Sequence, residues 1–475
     1  MLPALVLLML VEPSIQAQVP PNIVIVLADD LGWGDPGCYN AESKIPTPHI
    51  DRLASQGLRL TDCHSPSAVC TPTRYGVLTG RYAWRTHLKQ WVLGGYSELL
   101  PDPNRSTIAS ELRKAGYHTG VVGKWHLGLG STDPANFNKS LRPGPLELGF
   151  DECFLIPASL DMPPYCYVDQ DQPVVAPTAL MPESRHRRNG GAGMWRAGPA
   201  SPGFDFRQVL PTLQDRAVEF IEEAAAHDTP FLLYFPMTSP HTPWVPTETF
   251  SGVTDIDHYG DFVAQTDSTL GAVMEALDRT GTADDTLVIF TSDNGAHWPI
   301  GDIEKHGHRA NGPWRGQKAD IHEGGHRVPC VVRWPGRIAP ATQSDALTCL
   351  TDLYDTCIEA CGATGSLGGP DGVSQLAVWT GGATTDRGSI VHHSGDGMFA
   401  IRRGDWKLIE AQGSGGFTSP KRPTAAAGQP QGQLYNLADD PSETTSVWSS
   451  HRQVVAAMQA ELDAIRTQES GQSTP

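Results

Sequence analysis

Residues 22–30 read Asn-Ile-Val-Ile-Val-Leu-Ala-Asp-Asp, and the first seven of them decide the fold. An unbroken apolar, β-branched run lacks the alternation of a half-exposed strand. It suits a strand covered on both faces, as in a parallel sheet. Outward from it, helices and strands alternate. Thr47-Pro48 opens a helix whose Ile50, Leu53 and Ala54 share a face and which Gly57 closes. A second helix runs from Ser106 or Thr107 through Ile108, Leu112 and Ala115 to Gly116, and residues 117–123 follow as a strand. Residues 212–226 read as helix, 230–235 as buried strand, 258–280 as a longer helix stopped by Gly281, and 286–291 as another buried strand. This alternation predicts a doubly wound α/β domain.

The chain has 475 residues, enough for one large α/β domain and a smaller one. Hydrophobic residues make up 39% and charged residues 19%, a globular balance. A net charge of −18 excludes non-specific nucleic-acid binding, and it obliges any anionic substrate to find a local cationic pocket. The short apolar run Leu5 to Val11 and the small residue at Ala17 predict a cleaved signal peptide over 1–17. Export to a periplasmic, extracellular or lysosomal space follows from it. No later run is long enough for stable membrane insertion. The catalytic domain is expected over 18–385.

Over 386–475 the pattern changes. Met398 to Ile401 and Trp406 to Ile409 flank the turn Arg403-Gly404-Asp405 as a hairpin, residues 434–437 form a strand, and 451–467 a terminal helix. This predicts a small C-terminal antiparallel sheet. Residues 160–210, rich in Pro, Gly and Arg, read equally as an ordered loop near the site or a surface excursion. Of nine cysteines, eight remain once Cys70 is set aside for chemistry, open to pairing (Cys153 with Cys166, or among Cys349, Cys357 and Cys361) or to being buried thiols.

Four predicted strands end in reactive residues: Asp29-Asp30, Lys124 with His126, His241, and Asp293-Asn294. Ligands bind beyond the carboxyl ends of strands in open parallel sheets, so one edge collects three carboxylates, an amide, a lysine and two histidines. Three carboxylates packed together repel unless a cation neutralises them. Oxygen donors suit Ca²⁺ or Mg²⁺ rather than zinc, and several protein carboxylates favour the larger, looser shell of one Ca²⁺ ion.

Cys70-Thr71-Pro72-Thr73-Arg74, followed by Leu78-Thr79-Gly80-Arg81, resembles the signature of the type I sulfatase family, whose cysteine a maturation enzyme oxidises to formylglycine. Residues 28–34 (ADDLGWG), 123–128 (GKWHLG), 240–243 (PHTP), 291–295 (TSDNG), and Lys318 before Glu323-Gly324-Gly325 occur in that family's order over roughly 22–340. The likeness leans to the arylsulfatase A and N-acetylgalactosamine-6-sulfatase branch. One departure is Thr73, where the family more often has Ser.

The resemblance implies an alkaline-phosphatase-like sandwich with a large, mostly parallel central sheet. It implies Ca²⁺ held by Asp29, Asp30, Asp293, Asn294 and one oxygen of modified Cys70. It implies a hydrated aldehyde as nucleophile, one hydroxyl attacking the sulfur of a sulfate O-ester and the second expelling sulfate. Arg74 and Lys124 then stabilise charge, His126 takes the proton in the release step, and His241 and Lys318 face the sulfate and the leaving oxygen. The implied substrate is a sulfated carbohydrate or aryl sulfate. His297, Trp298, Trp314, Arg315 and His322, with His306 and His308, cluster in sequence between Asp293 and Lys318 or just beyond. The first five are candidates for sugar contact. Rival readings are a phosphatase or phosphodiesterase of the same superfamily, a non-catalytic glycan-binding protein with unmodified Cys70, and a sulfohydrolase acting on N-sulfate.

Overall fold

A computed structural model describes residues 20–185, 194–363, 369–382 and 387–468. The signal-peptide stretch 1–17 lies outside them. At the centre stands a ten-stranded sheet. Its order is Thr342–Ser344, Leu58–Leu60, Cys330–Arg333, Thr286–Ser292, Asn22–Asp29, Phe231–Pro240, His118–Lys124, Glu152–Ile156, Val168–Asp169 and Gln172–Pro173. Strand Asn22–Asp29 pairs in parallel with both Phe231–Pro240 and Thr286–Ser292. The parallel block continues through His118–Lys124 to Glu152–Ile156. Toward the edges the sheet turns mixed: Cys330–Arg333 is antiparallel to both of its neighbours, as is Val168–Asp169.

The double cover expected of the first strand is realised residue by residue. Ile23, Ile25 and Leu27 enter one core, with Tyr75, Leu78, Ile108, Leu112 and Leu353 from helices on that face. Val24, Val26 and Ala28 enter a second core on the opposite face, with Ile50, Leu53, Leu213, Phe262 and Leu270. Seven of the strand's eight residues are buried.

Two boundaries differ from the sequence reading by three residues or more. The helix expected over 212–226 is Val209–Ala224, because Pro211 sits in its first turn, where no backbone N–H is needed. The strand expected over 230–235 continues to Pro240, since its second half stays buried beside the first strand, with Asp29 opposite Pro240. The 160–200 insertion is ordered where described. Ala179–Met181 pairs with Gly198–Ala200, Ser184–Arg185 pairs with Met194–Trp195, and the Tyr165 hydroxyl donates to the carbonyls of Asp161 and Arg196. All nine cysteines are free thiols, eight of them buried.

The C-terminal sheet has four antiparallel strands: Ser389–His393, Phe399–Arg403, Trp406–Ile409 and Gln433–Asn436. Arg403-Gly404-Asp405 is the expected hairpin turn, with Gly404 at φ 55°. The first strand, Ser-Ile-Val-His-His, is not among the strands expected from the sequence, because its two apolar residues are followed by two histidines. Helix Arg452–Thr467 packs Met458 and Leu462 against this sheet. No described helix is long and apolar enough to cross a membrane.

A buried charge network joins the two sheets. Lys407 Nζ reaches Glu323 (3.0 Å) and Glu443 (2.8 Å), while Arg402 and Arg327 grip Asp62 at 2.7 Å and 3.0 Å. His64, His326 and His392 lie within it. Their ligand nitrogens lie within 4.8 Å of one another, a metal-like grouping. The rings of His326 and His392, however, stack 3.9 Å apart at 14°. Parallel stacked rings cannot aim in-plane lone pairs at one ion, so this cluster is structural.

Its titration predicts acid lability. Burial holds His64 below its ordinary value and His326 and His392 well below theirs. Below about pH 6.5 the unfolded chain therefore binds protons that the folded chain refuses, and stability falls as pH falls. Against the upward push of burial, Lys407 holds Glu323 well below the carboxylate range, and Arg327 does the same for Asp62. Their contribution is complete above about pH 4.5 and lost as pH drops through the folded value. Glu443, pushed up to about 6 by burial, works the other way, one group against five. Thermal melts should be level above pH 7 and fall below 6.5, with each histidine costing up to about 1.4 kcal/mol per pH unit. His326→Gln should flatten that slope.

Candidate active site

The carboxyl ends of the parallel strands deliver the site. Asp29 is the last residue of its strand and Lys124 the last of its own; their side chains meet at 2.6 Å. Asp30 turns into the left-handed region (φ 65°), which swings its carboxylate off the sheet. There it accepts from Asn294 Nδ2 (2.7 Å) and Lys318 Nζ (2.9 Å), and His241 Nε2 stands 3.8 Å away. Asp293 follows strand Thr286–Ser292. Its Oδ2 accepts from Arg74 Nε (3.1 Å) and Nη2 (2.7 Å), and Arg74 Nη1 donates to the Lys124 carbonyl (2.8 Å). All these side chains are buried.

Cys70 is the first residue of helix Cys70–Thr79, all of whose residues are buried. Pro72 falls in the first turn, where it costs no hydrogen bond. The sulfur lies 3.3 Å from His126 Nδ1. His126 Nε2–H donates to the Leu93 carbonyl (2.8 Å), so the neutral ring turns its Nδ1 lone pair toward position 70. Burial, with Lys124 and Arg74 nearby, keeps His126 well below its ordinary value and therefore neutral. Burial likewise lowers His241 to about 4, helped by Lys318. The Cys70 thiol is pushed up by burial despite Lys124 and Lys318, so as a thiol it is a poor nucleophile. Asp293 is raised to about 6 by burial and by Asp29 beside it, while Lys318 and His241, against burial, hold Asp30 well below the carboxylate range.

Two oxygens here have no hydrogen-bond partner: Asp29 Oδ1 and Asn294 Oδ1. A buried acceptor left unpaired costs about 1–3 kcal/mol, so two such oxygens side by side suit a bound cation. Ligand atoms of Asp29, Cys70 and Asp293 lie within 4.8 Å of one another, as do those of Asp29, Asp30 and His241. Anionic and amide oxygens around one point fit a hard divalent cation.

The sequence-predicted residues divide sharply. Asp29, Asp30, Cys70, Arg74, Lys124, His126, His241, Asp293, Asn294 and Lys318 converge. Of the five sugar-contact candidates, only His297 stands at the rim, half-buried against Phe417. Trp298 is a core residue stacked on Tyr259 at 4.6 Å. The Arg327 guanidinium carbon lies 4.0 Å from the centroid of the Trp314 ring. Arg315 donates to the Glu443 carbonyl and the Tyr435 hydroxyl, and His322 is buried. These four have structural partners of their own; nearness in sequence to Asp293 grouped them, while the chain turns away from the site after His297. Residues the sequence reading missed include Asp35, which ties Gly32 N–H, His308 and the Tyr259 hydroxyl beneath the Asp30 loop. Ser159 lies 3.4 Å from His126 Nδ1. Neither carries a local motif.

A carboxylate cluster at strand ends, facing a buried cysteine and ringed by cations, is suited to binding and cleaving an anionic ester. A family model described as Sulfatase matches residues 21–363, and the chain belongs to that family. It is similar to N-acetylgalactosamine-6-O-sulfatase of Bacteroides thetaiotaomicron, 34% identical, covering 94% of this chain and 93% of that one. Arylsulfatase A of Bos taurus is 32% identical over 96% and 89% of the two chains. A solved structure from work on the metabolism of multiple glycosaminoglycans by Bacteroides thetaiotaomicron superposes with a TM-score of 0.83. It is 31% identical and covers 95% of this chain and 100% of that one. The fold is the alkaline-phosphatase-like sandwich, and the activity is that of a sulfuric ester hydrolase.

Proposed function

We propose that this enzyme removes sulfate from O-esters of a sulfated carbohydrate, with Cys70 converted to formylglycine by a maturation enzyme and one Ca²⁺ at Asp29, Asp30, Asp293 and Asn294. The observation that carries the reading is the pair of orphaned oxygens, Asp29 Oδ1 and Asn294 Oδ1, beside a buried, unreactive thiol. The glycan is supported by relatives named for N-acetylgalactosamine-6-sulfate chemistry at about a third identity. Export through a signal peptide over 1–17 belongs to the same reading, as does a catalytic domain over 18–385 with the antiparallel sheet in 386–475.

When bound, Ca²⁺ would neutralise the carboxylates and polarise a sulfate oxygen, and a hydrated aldehyde at position 70 would supply a hydroxyl nucleophile. The chain's own residues supply the rest. Arg74 and Lys124 hold Asp293 and Asp29 in place and set positive charge where negative charge develops. His126, its tautomer set by Leu93, presents an unprotonated Nδ1 to the side chain of residue 70 and takes its proton. His241 and Lys318 border Asp30 and face the leaving oxygen, to which one of them returns a proton.

Chelation tests the ion apart from the aldehyde. Dialysis against EDTA should abolish hydrolysis of sulfated saccharides and lower the melting temperature. Ca²⁺ at about a hundred times its dissociation constant should restore both, a stabilisation of about 2.7 kcal/mol. An EDTA-treated enzyme that keeps its activity and its melting temperature would sink the calcium reading.

A further inference from the structure

Among the described residues, eight non-glycine residues have positive φ, and four of them surround this site: Asp30, Trp91, His126 and Ala319. Asp30 and His126 are explained by the chemistry above. Trp91 is not. A bulky residue at φ 54° is strained, and strain of this kind persists where surrounding structure demands it, most often at functional sites.

What demands it is a corner built on Lys318 and Ala319. Trp91 N–H donates to the Gly395 carbonyl (2.7 Å), and Gly395 N–H donates to the Ala319 carbonyl (2.8 Å). A Cβ on Gly395 would stand 2.8 Å from the Trp91 ring and 3.1 Å from Ala319 Cβ. Gly416 abuts the Ala319 carbonyl so closely that a Cβ there would meet it at 2.2 Å, and the next residue is Phe417. Lys318 N–H donates to the Ala296 carbonyl (3.0 Å), and the next residue there is His297. Ala319 N–H donates to the Ala68 carbonyl (2.8 Å), two residues before Cys70. Three chain segments distant in sequence thus each bring one half-exposed ring to the corner that holds the sulfate-facing lysine. The rings touch: Trp91 stacks on Phe417 at 5.9 Å and 28°, and His297 lies 4.9 Å from Phe417.

We propose that Trp91, Phe417 and His297 form an aromatic shelf at the mouth of the site that takes the apolar C–H face of the pyranose ring carrying the sulfate ester. Partly exposed aromatic faces beside a few fixed polar groups are how ligand sites combine apolar contact with orientation. The buried cluster around Asp29, Asp30, Lys124 and Lys318 is charged and suited to sulfate, whereas the shelf offers the apolar faces that suit a sugar ring. This inference rests on the glycan reading above.

The test uses the matured, calcium-loaded enzyme with a 6-sulfated hexosamine saccharide and, separately, a linear alkyl sulfate that has no ring. Phe417→Ala and Phe417→Leu should raise KM for the saccharide about three- to tenfold, with little change in kcat, and lower the saccharide-to-alkyl ratio of kcat/KM by the same factor. Trp91→Phe should keep most of that ratio. A variant that merely folds poorly lowers both rates and leaves the ratio fixed, which is why the ratio and the KM-against-kcat split are the readouts. Saccharide turnover by the parent enzyme with an unmoved ratio in both Phe417 variants would overturn the shelf alone. A parent enzyme that cleaves the alkyl sulfate and no sulfated saccharide would remove the glycan reading and the shelf with it.

Discussion

Cys70→Ala should lower kcat at least about 10³-fold while the protein stays folded, because removing a catalytic nucleophile leaves only binding and electrostatic preorganisation. Position 70 opens a buried helix, and its side chain is hydrogen-bonded only to His126 Nδ1. Truncation there removes no charge and breaks no ion pair, so the stability cost should stay near the ordinary value of about 1 kcal/mol for a point substitution. Cys70→Ser tests the aldehyde separately: it keeps shape and a hydroxyl, yet offers no hydrated carbon. Peptide mass spectrometry of the active parent should show an aldehyde at position 70 instead of a thiol. Full activity in Cys70→Ala, or an unmodified thiol in fully active enzyme, contradicts the assignment of the nucleophile.

Lys407→Ala should destabilise the protein by about 3–5 kcal/mol without touching the substrate site. The ammonium is fully buried and is shared by Glu323 (3.0 Å) and Glu443 (2.8 Å). Its removal leaves Glu443 without its cation and Glu323 with Arg327 alone at close range, and breaking a buried pair costs far more than the pair contributes in water. Because Lys407 lies on a C-terminal strand and Glu323 in the segment just after Lys318, the expected damage is undocking of the small sheet from the large one. Urea titration measures the loss. A double variant, Lys407→Met with Glu443→Gln, should recover part of the loss, since it removes charge from both sides. A Lys407→Ala loss below about 1 kcal/mol would show that the network is not what holds the sheets together.

Much of this could be read from the chain. The run at 22–28 announces a doubly covered strand because no solvent-facing position interrupts it, and Val24 and Ile25 do enter opposite cores. Asp29, Asp30, Lys124, His126, His241, Asp293 and Asn294 were legible because they lie at the carboxyl ends of such strands, where the sheet's geometry forces convergence, while Cys70, Arg74 and Lys318 were legible only through the family signature. The failures share a cause. Trp298 and Arg315 lie as near in sequence to the site as His297 does, and only the path of the chain decides that Trp298 enters the core against Tyr259 and that Arg315 reaches the Glu443 carbonyl. Trp91 and Phe417 sit on loops without periodicity, about 325 residues apart in a chain whose local pattern says nothing of their meeting.

The sequence by itself determined the family, the parallel core and the residues that converge at the strand ends, because strand periodicity and a short family signature are local properties written in consecutive residues. Tertiary structure alone decided which oxygens are left unpaired, which tautomer His126 presents, which cysteines stay as thiols and which aromatics reach the rim. Those depend on distances between segments far apart in the chain, and such distances are set by packing rather than by any neighbour in sequence.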